Sequence, residues 1–250
     1  MVPVSFAPFS FADREWALVD QRALYWPGES ALLVADLHLE KGSWFASRGT
    51  MLPPWDSHAT LERLGAAIKA CNPHKVICLG DSFHDAAGPL RLADGAAQQL
   101  GALAAGREWL WITGNHDGAS PAMLGGTALE ELELGGVMLR HEARPNWPGP
   151  EVSGHFHPKW AVEARGRRIV RPCAVVGGQR MIAPAFGPMP GGCGRAIRQS
   201  ARRWPRPPDW WRLWLREHAR CNIGCPPRKR REFGFPHGGL GSNEPRVSNL

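Results

Sequence analysis

Apolar positions in this chain come in short unbroken runs, and each run gives way to a cluster of Asp, His, Asn and Gly. Residues 31–35, 76–79, 109–112 and 137–139 are runs of this kind. Their length and the turn residues that bound them predict strands buried on both faces. Between the runs the period becomes helical. Leu61, Leu64, Ile68 and Cys71 recur on one helical face, with Asp56 as the expected N-cap and Asn72-Pro73 as the stop. An Ala-rich helix is expected from about Pro89 to Ala105, ended by Gly106. The first 28 residues predict two short strands, near 17–19 and 23–25. Residues 160–182 alternate and predict hairpins that turn at Arg165-Gly166 and Gly177-Gly178. Strands alternating with helices, with antiparallel additions at both ends, place the chain in the α/β class.

After Gly187 the pattern stops. Residues 188–250 hold 12 Arg against one Lys, with 9 Pro and 4 Trp, and show no sustained period. Such a stretch cannot build a packed core. The expected organisation is therefore a folded domain over residues 1–187 and an irregular, disordered basic C-terminal tail over residues 188–250. Three readings of the tail compete. It is a nucleic-acid arm that stacks bases on Trp210, Trp211 and Trp214, an extension without a specific role, or the product of a shifted reading frame. GC-rich coding DNA read out of frame yields Arg, Pro, Gly, Trp and Cys in excess, and the abrupt break favours this third reading.

That division changes what the charge means. The whole chain carries a formal +7. Residues 1–187 hold 17 basic against 19 acidic residues, a net −2, and the tail holds 13 against 4, a net +9. Overall charge alone is thus no argument for a polyanionic partner of the folded part. The six cysteines are scattered, and Cys71, Cys78 and Cys173 sit in or beside apolar runs, as reduced buried thiols do. No run approaches the roughly 18 apolar residues of a membrane span. Residues 1–6 lack the features of a signal peptide. The expected location is cytoplasmic, with no membrane partner.

The polar clusters carry the chemistry. In order they are Asp36-Leu37-His38, Gly80-Asp81-Ser82-Phe83-His84-Asp85, Gly114-Asn115-His116-Asp117, Arg140-His141-Glu142 and Gly154-His155-Phe156-His157. Residues at the carboxyl ends of neighbouring strands converge on one rim of a sheet, where open α/β folds bind ligands. Asp-x-His and His-x-His place two side chains on the same side of an extended segment. Imidazole, carboxylate and amide oxygen together suit Mn, Fe or Zn, and the lack of thiolate in these clusters argues against a structural Cys-rich zinc site. Two divalent ions sharing a carboxylate would lower the pKa of a water and hold phosphoryl oxygens for in-line attack.

This series resembles the calcineurin-like metallophosphoesterase superfamily and, within it, the bacterial ligase-associated DNA damage response endonucleases. The closer likeness rests on residues 23–27, 33–42, 79–85 and 184–187, and spans about residues 15–187. The resemblance implies a four-layer αββα sandwich, two mixed β-sheets flanked by helices. It implies that Asp36, His38, Asp81 and His157 hold one divalent metal ion and that Asp81, Asn115, His141 and His155 hold a second, with Asp81 bridging. Mn is the metal first expected, with Fe or Zn as alternatives. His116 would stabilise the transition state or protonate the leaving group, and Asp117 would orient it.

The implied activity is hydrolysis of phosphodiester bonds by a metal-bridging hydroxide. It implies a DNA endonuclease of damage repair, working beside a DNA ligase, a helicase and a nuclease. A small-molecule phosphatase or cyclic-nucleotide phosphodiesterase is the alternative, and a non-catalytic nucleic-acid binder acting through the tail is the second. The family pattern continues after Gly187 with a Tyr and a Gly-Gly-Leu stretch, and this chain departs from it at Pro188. Around the site, His84 and Asp85 are expected beyond direct ligation, and Lys41 in a solvated turn or against a phosphate. Trp109 and Trp111 are expected to pack a strand. His218, Cys221 and Cys225 sketch part of a zinc pattern.

Overall fold

Strand order is what brings the polar clusters together. The computed structural model describes residues 4–51, 55–117, 120–164 and 167–187. The larger sheet runs β1 (Phe6–Phe11), β2 (Arg14–Val19), β3 (Ala23–Trp26), β4 (Ala31–Val34), β5 (Lys75–Leu79), β6 (Glu108–Ile112) and β7 (Thr127–Leu129). Neighbours from β1 to β4 are antiparallel, and those from β4 to β7 are parallel.

The second sheet is assembled from β8 (Glu131–Leu134), β9 (Val137–Arg140), β10 (Glu151–Ser153), β13 (Val175–Gly177) and β14 (Arg180–Ile182), in the order β13-β14-β10-β9-β8. Here β9, β10 and β14 are parallel and the two edges antiparallel. A separate hairpin pairs β11 (Lys159–Ala164) with β12 (Arg167–Pro172).

Alternation along the central strands divides the core in two. Leu33, Ile77, Leu79, Leu110 and Ile112 of the larger sheet pack against Val137, Leu139, Val152 and Met181 of the second. The opposite-facing Leu32, Val34, Val76, Cys78, Trp109 and Trp111 pack under Leu61, Leu64, Ile68 and Leu100. These last four come from helices α2 (Asp56–Cys71) and α4 (Asp94–Ala104), with α1 (Lys41–Ala46) and α3 (Gly88–Arg91) completing the helical set. Burying apolar side chains on both faces is worth roughly 1.5–3 kcal/mol for each large residue, so the parallel strands anchor the fold. The architecture is the expected α/β sandwich of two mixed sheets with helices outside. Among the described residues, the helices that join a core cluster all join the one on the outer face of the larger sheet.

Several local expectations change. Asp56 is the first residue of α2 and follows its N-cap, Trp55. Its carboxylate accepts the Gly42 backbone N–H at 2.8 Å, so it joins α2 to α1. The Ala-rich helix is interrupted at Leu92 and Ala93, whose ψ angles of 120° and 144° are extended. The N-terminal strands number three, because β1 is an edge strand that tolerates Pro8. The second of the late turns falls at Gly178-Gln179. Residues Arg165-Gly166, the tail and its zinc-like pattern lie outside the described residues. No described helix is long and apolar enough to cross a membrane.

Gly101 lies within α4, and a β-carbon there would meet nothing within 4 Å. Gly101→Ala is expected to raise stability by about 0.5–1 kcal/mol, through the smaller loss of backbone entropy. Chemical denaturation of both proteins checks this.

Candidate metal centre

Every cluster sits just past the carboxyl end of a parallel strand. Asp36 and His38 follow β4, Asp81 follows β5, and Asn115, His116 and Asp117 follow β6, while His141 follows β9 and His155 and His157 follow β10. The two sheets therefore aim their ligand-type residues at one shared rim. The loops hold each other by main-chain bonds: Asp36 N–H to the Gly80 carbonyl at 3.1 Å, and His38 N–H to the Asp81 carbonyl at 2.9 Å. Phe186 and Gly187 extend this by donating to the carbonyls of Ala35 and Asp36.

The expected extended segments are absent at these positions. Asp36, His38, Asp81, His155 and His157 all have positive φ, between 46° and 66°. Left-handed conformation is uncommon for residues other than Gly and costs on the order of 1–3 kcal/mol each, so it persists where the surroundings enforce it. The tight turns, not strand pleating, converge the side chains. Gly114 permits the same closeness, since a β-carbon there would lie 2.3 Å from the Asp81 nitrogen.

The convergent side chains form two groups: Asp36, His38 and His157, and Asp81, His141 and His155, with ligand atoms within 4.8 Å of one another in each. In the first, His157 Nε2 lies 3.2 Å from Asp36 Oδ1 and 3.4 Å from His38 Nε2. In the second, His141 Nε2 lies 3.0 Å from His155 Nδ1, 3.0 Å from Asn115 Oδ1 and 3.4 Å from Asp81 Oδ1.

Acceptor chemistry decides whether such groups suit cations. His141 Nδ1 is 3.0 Å from the Leu79 carbonyl oxygen, which can only accept. Nδ1 therefore carries the ring proton, and Nε2 turns a lone pair toward two oxygens, Asn115 Oδ1 and Asp81 Oδ1, while His155 Nδ1 can donate or accept according to its tautomer. A proton or a cation between Nε2 and the two oxygens satisfies all three. Burial, with His141 beside it, pulls the pKa of His155 down, and burial takes His38 down to about 3 against the opposing pull of Asp36. Burial of Asp36 would by itself raise its pKa, but the hydrogen bond from His157 and the nearby imidazoles outweigh it and hold it low. His38 and His155 held toward the neutral form, beside an Asp36 held toward the ionised form, suit a metal ion. His38 Nδ1 has no hydrogen-bond partner among the described residues, and nothing in the structure explains it.

His116 stands at the rim, its side chain 43% exposed, with Nε2 3.9 Å from Asp81 Oδ2. Its Nδ1 is 3.0 Å from the His84 carbonyl oxygen, which fixes the ring and the Nδ1 proton. Asp117 is fully buried and accepts the N–H groups of Phe83 at 2.9 Å and Gly114 at 3.1 Å. Burial raises its pKa, against these hydrogen bonds. Its hold on His116 thus runs through the two loop backbones that it clamps.

Sequence patterns did not reveal the shelf beside His84. Trp44 meets the His84 ring at 4.7 Å between centroids, Phe45 at 6.0 Å and His116 at 5.9 Å, and Arg48 lies over Trp44 at 3.7 Å. The signal available was an aromatic pair on the short helix that follows the first ligand cluster. Burial lowers the pKa of His84, followed by the charge of Lys41. Asp85 is ion-paired with Arg91, outside the ligand groups. Trp109 and Trp111 pack the sheet as expected.

Fold and site together define a metal-dependent hydrolase. The calcineurin-like phosphoesterase family matches residues 30–243, and the chain belongs to it. Its structure is similar to that of the Pseudomonas putida nuclease MPE, at 31% identity and a TM-score of 0.62, covering 77% of this chain and 92% of that one. The phosphoesterase Yfce from E. coli matches at 17% identity and a TM-score of 0.40, covering 66% of this chain and 84% of that one. No curated protein sequence matches the chain.

Proposed function

We propose that the protein is a metal-dependent phosphodiesterase that cleaves DNA. The observation that carries this is the pair of ligand-type groups, with His141 Nε2 beside Asn115 Oδ1, Asp81 Oδ1 and His155 Nδ1 and with His157 Nε2 beside Asp36 Oδ1 and His38 Nε2. Asp36, His38 and His157 would hold one divalent cation, and Asp81, Asn115, His141 and His155 the other, with Asp81 shared and Mn the first choice. Bound there, the cations would supply Lewis acidity, lowering the pKa of water and offsetting charge on the phosphoryl oxygens.

The chain's own residues do the rest. The left-handed turns hold the ligand side chains in place before substrate arrives. His116, with its Nδ1 proton held by the His84 carbonyl, presents Nε2 at the rim, where the doubly protonated ring passes its Nε2 proton to the departing oxygen and is left neutral. The 31% identity to a nuclease supports a nucleic acid over a small ester, and the Trp44–Phe45 shelf offers a surface on which a base can stack. A place in DNA repair beside a ligase, a helicase and a nuclease extends the proposal on the family resemblance alone, and a cytoplasmic location extends it on the scattered, apolar-flanked cysteines.

Elemental analysis combined with a substrate panel tests it. Protein loaded with Mn should hydrolyse bis(p-nitrophenyl) phosphate and single-stranded DNA. Turnover of p-nitrophenyl phosphate or cyclic nucleotides alone would assign the site to small molecules instead. Within that panel, His116→Ala should keep its metal and lose about 10²–10⁴-fold in kcat, the usual weight of a positioned acid. A fall in metal content equal to that of Asp36→Ala would make His116 a ligand.

A further inference from the structure

His157 also lines a cleft of about 450 Å³ that the catalytic reading leaves unused. Arg22, Arg63, Lys159 and Arg171 line this cleft, and of the described lining residues Asp20 alone carries a carboxylate. These cations come from four separate parts of the chain, between β2 and β3, on α2, on β11 and on β12. They are close enough to oppose each other. After burial, the charges of Arg63 and Arg171 both weigh against the Arg22 guanidinium, with Asp20 countering. Like charges gathered in a partly buried cleft are unfavourable unless an anion joins them.

A purely structural duty explains only part of the set. Arg22 Nη1 donates to the carbonyls of Ala185, Phe186 and Gly187 at 3.0–3.1 Å, and Arg63 reaches the Phe186 carbonyl at 3.4 Å. Those bonds hold the segment that closes over the Asp36 loop. Arg171 holds no such segment. Its described hydrogen bond is to the carbonyl of the adjacent Val170, at 3.4 Å, and its side chain is exposed.

We propose that this cleft is an anion subsite that takes a backbone phosphate of the substrate strand, away from the bond that is cut. The inference rests on the phosphodiesterase reading and adds to it the path of the non-reacting strand. Guanidinium groups suit a phosphate because their planar fork matches two of its oxygens. His157 belongs to both the cleft and the first ligand-type group, so a strand seated in the cleft leads directly into the centre. The consequence is selectivity. A polynucleotide gains from the subsite, whereas a small diester has no second phosphate to place there.

The test uses the full chain with Mn and compares kcat/KM for a single-stranded oligonucleotide and for bis(p-nitrophenyl) phosphate over a range of NaCl. Arg171→Ala should lower the oligonucleotide-to-diester ratio about tenfold and make the salt dependence shallower by about 0.7 in log–log slope, as loss of one strand phosphate contact requires. Arg171→Glu should lower the ratio further, and Arg171→Lys should restore much of it. Arg168→Ala, on the same exposed strand but outside the cleft, should change neither quantity. An unchanged ratio and slope in Arg171→Glu, with both substrates still cut by the wild type, would overturn the subsite and leave the phosphodiesterase reading intact. Inorganic phosphate that inhibits the wild type but not Arg171→Glu, with the ratio unmoved, would assign the cleft to free phosphate and also overturn it. Failure of the wild type to cut either substrate would remove the parent reading, and the subsite with it.

Discussion

Replacing Asp81 with alanine is expected to lower kcat/KM for phosphodiester hydrolysis by at least about 10³-fold, or roughly 4 kcal/mol of transition-state stabilisation. Asp81 is 3% exposed, and one carboxylate oxygen meets both the His116 backbone N–H at 3.1 Å and His141 Nε2 at 3.4 Å. Its loss removes the only carboxylate from a group otherwise made of the Asn115 amide oxygen and the imidazoles of His141 and His155, so affinity for a dication must fall. It also strands a backbone N–H of the His116 loop, at a cost of about 1–3 kcal/mol.

Asp81→Asn separates these effects, because its amide oxygen can still accept from His116 N–H while the charge is gone. The asparagine variant should therefore keep the stability of the metal-free protein and still lose activity. Metal content after dialysis and turnover in Mn buffer, measured on both variants, check the expectation. Near-wild-type turnover with the alanine variant would show that Asp81 is no ligand.

Legibility in the sequence followed burial. Strands β4, β5, β6 and β9 could be read because both faces are covered, which leaves unbroken apolar runs. Strand β1 sits at a sheet edge and alternates in exposure, and β7 and β8 have no fully buried positions, so none of them stands out against the neighbouring loops. Four of the five polar clusters were legible because each follows such a run, and the fifth, after Glu151-Val152-Ser153, through its own His-x-His spacing. Their turns were not, since Asp and His at positive φ leave no mark in a pattern of polar and apolar positions. The cationic cleft was hidden for a different reason. Arg22, Arg63, Lys159 and Arg171 lie far apart in sequence and are offset by acids elsewhere, so a net charge of −2 over residues 1–187 concealed a local excess that only folding assembles. The helix interruption at Leu92 was missed because Ala-rich spacing fits one long helix as well as two short ones.

The smallest side chain near the centre yields the other large effect. Gly80 joins β5 to Asp81 with φ of +75°, and a β-carbon there would lie 2.2 Å from His141 Nδ1 and 2.4 Å from its Cγ. His141 cannot step aside without cost: it is 6% exposed, and its Nδ1 proton is bonded to the Leu79 carbonyl at 3.0 Å. Gly80→Ala must therefore either displace the imidazole or distort the turn that aims Asp81. The expected cost is about 3 kcal/mol or more of stability, which for a chain of this size is a fall in Tm of roughly 6–12 °C. An accompanying loss of at least about 10²-fold in kcat/KM is expected, because both displaced groups face the same ligand-type cluster. Gly49→Ala provides the control. Its φ of +78° imposes the same backbone strain, but a β-carbon there meets nothing within 4 Å. It should cost only about 1–2 kcal/mol and leave turnover intact. Thermal melts and steady-state rates of the two variants measured side by side isolate the collision from the strain. If Gly80→Ala behaved like Gly49→Ala in both, the packing of His141 against the β5 turn would be wrong, and the second ligand-type group would lose its fixed geometry.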